Sequence, residues 1–182
     1  MSDFPVTAIL KPRVTIFTGS IESLGLEITA SGTSLVGAGF ASATYPTANL
    51  ALFIPFVVTE PIVAVQLWCI NGAAVSGNVD MGIYDVAGTK LVSIGSTAQS
   101  GTSVMQAFNI TDTQLGTGRY FLAIALDNTT GTLTRATTPA VYLSAFGMAE
   151  MGTAFALPAT ATFAAVTNAY IPLIGLSTNT VL

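Results

Sequence analysis

Apolar and polar residues alternate most cleanly along residues 119–127, RYFLAIALD. Tyr120, Leu122, Ile124 and Leu126 point one way, and Arg119, Phe121, Ala123, Ala125 and Asp127 point the other. A period of two is that of a β-strand whose faces meet different surroundings. The same period runs through residues 62–70, where Val63, Val65, Leu67 and Cys69 share the face opposite Ala64, Gln66 and Trp68. It returns at residues 79–84, where Val79, Met81 and Ile83 alternate with Asp80, Gly82 and Tyr84. Residues 50–58, 90–94, 103–110, 141–146 and 170–176 are rich in Val, Ile, Leu and aromatics and read as further strands. No long segment repeats apolar residues at three and four with charges opposite, so helix signals are nearly absent.

Between the strands lie Gly, Pro, Asn, Ser and Thr. TDTQLGTG and NTTGTLTRATTP read as loops, as does ALPATATFAAVTN, which has room for one short helical turn. The most membrane-like stretch is residues 50–70. Pro55 and the Thr59-Glu60-Pro61 break divide it, so two buried strands joined by a turn fit better than a spanning helix. The pattern predicts an all-β fold, a jelly-roll-like antiparallel β-sandwich of about eight strands, over residues 50–182. Residues 1–49 are less regular. Pro5 and Pro12 suit an edge, and ITASGTSLVGAGFASATYPTAN is a run of small residues, so this part reads as an extended N-terminal arm or edge strand that needs a partner surface.

Composition sharpens the picture. Charged residues are 8% of the 182 and hydrophobic ones 51%, against roughly 25% charged in an ordinary soluble domain. With a mean hydropathy of +0.69, Lys and Glu are too few to cover the outside. Some of the surface is therefore apolar, and exposed apolar patches usually mark contact with another molecule. The alternative is a monomer with a Thr/Ser-rich skin. The net charge is −4, and the five basic residues form no cluster longer than Lys11 and Arg13, which speaks against nucleic acid as a partner. Cys69 is the one cysteine, so no internal disulfide forms, and its place between Trp68 and Ile70 suggests a buried, inert thiol. The opening MSDFPVTAILKPR has no basic region followed by an apolar core, so no secretory leader is expected. The sequons at Asn109 and Asn128 carry little weight without one.

GNVDMGIYDVAGTKLV, residues 77–92, is the stretch that most invites a chemical reading. Asn78, Asp80 and Asp85 are spread along a strand into a turn. A Ca²⁺ site needs several oxygens converging in one short loop. A β-hairpin explains the stretch without a ligand: Asp85 accepts a local backbone N–H, and Gly88 takes a positive φ. The chain has no histidine, which removes the commonest general base. Asp80 with Asp85, Asp127 or Glu150 are the conceivable carboxylate pairs, and no spacing selects one. No phosphate loop, dinucleotide glycine pattern or Cys/His cluster is present. The sequence predicts no enzyme, no cofactor and no metal. Sugar binding is the serious alternative: Trp68 and Tyr84 lie on the less apolar strand faces and could present an exposed aromatic platform. The bland reading is that this second face is also buried, against an arm or a neighbouring subunit.

SGNVDMGIYDVAGTKLVSIGS, LGTGRYFLAIALDNTTGT and the ending FALPATATFAAVTNAYIPLIGL resemble a family of small tailed-bacteriophage virion proteins. Members share a jelly-roll-like domain also found in phage fibre proteins. The resemblance spans most of residues 50–176 and brings no catalytic residues. It implies a virion structural protein assembled in the host cytoplasm, either a capsid decoration (cement) protein or a small tail or fibre component. Its implied partners are further copies of itself, a trimer being favoured, and other virion proteins such as the major capsid or tail proteins. No membrane insertion is implied. A host-surface glycan is the partner under the alternative reading, a receptor-binding module of a tail fibre.

Overall fold

A computed structural model describes Thr18–Gly19 and residues 40–136 and 140–178. Among the described residues, fourteen strands and one short helix follow in chain order. They are β1 (Thr18–Gly19), β2 (Ala41–Thr44), β3 (Ala51–Val58), β4 (Ile62–Ile70), β5 (Asn78–Asp85), β6 (Lys90–Ser93), β7 (Thr97–Ala98), β8 (Met105–Leu115), β9 (Gly118–Leu126), β10 (Thr132–Ala136), α1 (Ala140–Ala145), β11 (Ala149–Met151), β12 (Ala164–Ala165), β13 (Ile171–Pro172) and β14 (Ile174–Ser177).

The fold is an antiparallel β-sandwich. One layer is a seven-stranded sheet in the order β12-β11-β3-β9-β5-β6, with β7 also on β5. Its middle is long and regular: β9 pairs with β3 from Ala51↔Ala125 to Val58↔Gly118, and with β5 from Val79↔Leu126 to Asp85↔Tyr120. The facing layer joins a four-stranded sheet, β1-β14-β4-β8, to a three-stranded one, β13-β10-β2. Leu173 alone separates β13 from β14, and an Asn71–Leu133 bridge links the two sheets.

Between the layers, Leu52, Ile54, Phe56, Met81, Ile83, Leu122 and Ile124 meet Leu67, Cys69, Phe108, Leu133, Ile174 and Leu176 in one apolar core. Burying each large side chain contributes about 1.5–3 kcal/mol. Tyr45 joins this core, its Oη 2.9 Å from the carbonyl oxygens of Leu50 and Ile124. At one end, Asn71 and Gln99 form a buried polar pin. Gln99 Nε2 donates to Asn71 Oδ1 at 3.0 Å and to the Thr132 carbonyl at 2.8 Å, while Asn71 Nδ2 donates to the Ser100 carbonyl at 2.6 Å.

Within the stretch expected as an arm or edge strand, residues 41–44 form β2 at the edge of the three-stranded sheet, paired with β10, and Tyr45 is buried; the remainder of that stretch, apart from β1, lies outside the described residues. Three expectations are corrected. Where residues 141–146 read as a strand, Ala140–Ala145 form a helix. Gly147, at φ 88°, ends it, and the Gly147 and Met148 N–H groups return to the carbonyls of Ser144 and Leu143, a closure that suits glycine. Strand β4 does not keep one period throughout. Its register with β8 shifts between Ala64 and Gln66, so Ala64 joins Leu67 and Cys69 in the core while Val63 is exposed. A bulge exchanges the faces of a strand. Finally, strand β10 occupies a stretch that reads as loop.

Candidate functional site

The residues with chemical potential gather on the outer face of the seven-stranded sheet. There β3 presents Ala51 and Phe53, β9 presents Phe121, Ala123 and Ala125, and β5 presents Asp80, Gly82 and Tyr84. This face is not bare. Residues 152–163 return across it as a strap, with Ala154, Leu157 and Ala161 buried in a second apolar cluster and Phe155 and Phe163 packed against it. Phe163 meets Phe53 edge-on at 5.0 Å and Phe121 at 4.6 Å, and Phe53 meets Tyr84 edge-on at 5.3 Å. Small alanines in the sheet leave room for these rings, which prefer edge-to-face contact.

Polar contacts fix the strap along the β5–β6 hairpin. Asp80 Oδ2 accepts the Leu157 N–H at 2.9 Å, and Lys90 Nζ donates to the Leu157 carbonyl at 2.7 Å. Tyr84 Oη donates to the Pro158 carbonyl at 2.6 Å. The Lys90 N–H reaches the Ala159 carbonyl at 2.9 Å, and the Ala161 N–H reaches the Gly88 carbonyl at 2.8 Å. Burial raises the Asp80 carboxyl above its ordinary value, while the Leu157 N–H, the Lys90 charge and the backbone of Gly95 and Met81 pull it partly back. Burial, with the Asp80 charge nearby, also raises the Tyr84 hydroxyl.

The turn of residues 85–89 has the form its sequence predicts. Asp85 Oδ1 accepts the N–H groups of Ala87 and Thr89 at 2.9 and 2.8 Å, and Gly88 sits at φ 85°. A side chain at Gly88 would also strike the Ala161 carbonyl, 2.5 Å from the Cβ position. Asp80, Asp85, Asp127 and Glu150 do not come together. Asp127 accepts from Asn78 and Asn128, and Glu150 accepts from Thr167 and Asn168. Among the described residues no three His, Cys, Asp or Glu side chains are grouped to hold a metal ion. Cys69 is buried between the layers, which pushes its thiol up to about 12.

Trp68 and Tyr84 do not form a shared platform. Tyr84 is fully buried beneath the strap. Trp68 lies in the other layer, on the opposite strand face to Leu67 and Cys69, and is 3% exposed. The two rings thus face away from each other across the sandwich, and the exposed aromatic surface expected of a sugar site is not built from them. What the sequence left unread is the outward display of Val57, Val86, Val104, Val141, Tyr142 and Phe146. Low charge was its only signal. Among the described residues no helix is long and apolar enough to cross a membrane. No family model, no curated protein and no solved structure matches the chain.

Proposed function

We propose that this chain is a non-enzymatic structural subunit of a larger assembly, specifically a bacteriophage virion protein acting as a capsid decoration protein or small tail or fibre component. The observation that carries the reading is the exposure of large apolar side chains on a chain with 8% charged residues. Such surface is stabilised by contact with neighbours, at about 25 cal/mol per Å² removed from water before association costs. The resemblance of residues 76–96, 115–132 and 155–176 to virion proteins supplies the kind of assembly, a jelly-roll-like subunit in a homo-oligomer beside other virion proteins.

The test is to purify particles from the source culture on a density gradient and sequence their proteins by mass spectrometry. Peptides of this chain sedimenting with the particles in many copies are expected. Recovery in the unsedimented fraction alone overturns the reading.

A further inference from the structure

Asn71 and Gly72 are the one Asn-Gly pair in the chain. In an open chain such a pair is chemically unstable. Glycine has no side chain to obstruct its own nitrogen and lets the backbone turn freely, so that nitrogen reaches the neighbouring amide carbon. The Gly72 nitrogen gives its proton to hydroxide and attacks Asn71 Cγ. A C–N bond forms, the Cγ–Nδ2 bond breaks, and ammonia leaves with a proton taken from water. Water then opens the succinimide to aspartate or isoaspartate, and nothing is oxidised or reduced.

The fold closes each part of this route. Asn71 is fully buried. Its Nδ2 donates to the Ser100 carbonyl at 2.6 Å and to Gln106 Oε1 at 3.0 Å. Its Oδ1 accepts from Gln99 Nε2 at 3.0 Å and from Cys69 Sγ at 3.7 Å. The attacking nitrogen is engaged as well, since the Gly72 N–H donates to the Thr132 carbonyl at 2.9 Å. A Cβ at Gly72 would overlap the hydroxyls of Ser42 and Thr132. That crowding calls for glycine, and it also denies the peptide room to swing toward Asn71 Cγ.

The same network has no place for the product. A carboxylate at position 71 sets an oxygen where Nδ2 now donates, facing two acceptors, the Ser100 carbonyl and Gln106 Oε1. Gln106 cannot turn its amide to help without losing its other bonds, because its Nε2 donates to the Ala98 carbonyl and its Oε1 also accepts the Ser100 N–H, both at 2.9 Å. A charge buried among such neutral partners is costly. Isoaspartate also adds a carbon to the main chain directly after β4.

We propose that Asn71-Gly72 is a deamidation site held silent by the folded sandwich, and that its conversion during an unfolding episode stops the chain from returning to the native state. The inference stands apart from the assembly reading above.

The experiment incubates the full chain in mildly alkaline buffer, once folded and once in concentrated urea. Peptide mass mapping over residues 71–72 reads the exchange of amide for acid. Conversion in the folded chain should be slower by about a hundredfold or more, since only rare unfolded molecules react. Equal rates overturn the proposal. The urea-treated chain is then returned to native buffer and sorted by brief proteolysis. Resistant molecules should hold the intact amide and cleaved ones the acid; equal shares of acid in both fractions overturn the trap. Asn71→Asp tests the product without urea treatment. Failure to fold, or a clearly lowered urea midpoint, is expected, and a variant as stable as the native chain overturns the proposal.

Discussion

Asp80 and Lys90 hold the backbone of one residue, Leu157, from its two sides. The carboxylate takes the N–H at 2.9 Å and the ammonium gives to the carbonyl at 2.7 Å. Neither charge needs the other in direct contact, because the peptide groups between them are dipoles oriented to suit both. The arrangement places a carboxylate in the dry space beneath the strap, where burial raises its proton affinity above the ordinary 3.8. The folded chain therefore holds that proton more tightly than the unfolded chain. Asp80 favours folding in acid, and this contribution is lost as pH rises from 3.8 through the raised value. Asp80→Asn keeps an acceptor and removes the titration. Urea midpoints of the native chain, measured against those of D80N, should fall across that window and level above it. A difference that grows with pH would mean that Lys90 outweighs burial.

Asp127 should behave in the opposite sense. Burial pushes its carboxyl up, but hydrogen bonds from the Asn128 side chain and from the backbone and side chain of Asn78 outweigh that and lower it. Its contribution is present above pH 3.8 and lost as pH falls through the lowered value. Asp127→Ala should lower the melting temperature near neutrality. In strong acid, where the native side chain is also protonated, the deficit should shrink. Calorimetry at both conditions reads this directly.

Under the strap, Tyr84→Phe removes the one hydroxyl that serves the Pro158 carbonyl and should cost about 1 kcal/mol. Phe53→Ala removes a fully buried ring that touches both Tyr84 and Phe163, and should cost about 3–5 kcal/mol. Phe163→Ala is the local probe. Hydrogen exchange should quicken at residues 157–161 while β3 and β9 stay protected. Uniform acceleration through all three would mean that the strap and sheet open together.

Two glycines separate backbone conformation from close approach. Gly95 has φ 70° and open space around it, so Gly95→Ala bears only the left-handed backbone, about 1 kcal/mol. Gly88 has φ 85° and the Ala161 carbonyl at 2.5 Å from a Cβ. Gly88→Ala should cost clearly more, about 2 kcal/mol or beyond. Equal losses in denaturant titrations would show that the strap moves aside freely there.

What could be read from the sequence was what neighbours in the chain decide. The β5–β6 hairpin is local: Asp85 and Gly88 carry its turn within five residues, and the structure reproduces it. The clean alternation of residues 119–127 likewise gave the two faces of β9. What failed depended on partners far along the chain. Tyr84 is covered by a segment whose carbonyl lies 74 residues on, and alternation cannot reveal a cover supplied from that distance. Ala64 changes face through a register shift with β8 that no period in β4 announces. Strand β10 is Thr-rich and became a strand by lying between β2 and β13. In residues 141–146, Val and Tyr favoured a strand, and Gly147 two positions after α1 decided otherwise.

The strap also bears on the order in which the chain folds. It docks on β3, β5 and β9, which come from three separate parts of the sequence and must already lie side by side before residues 152–163 have a surface to rest on. Its contacts are therefore expected to form late, after the rate-limiting step has gathered the three strands. Weakening it, as Phe163→Ala does, should leave the refolding rate almost unchanged and speed unfolding instead. In that sense the strap governs how long the native protein lasts once formed.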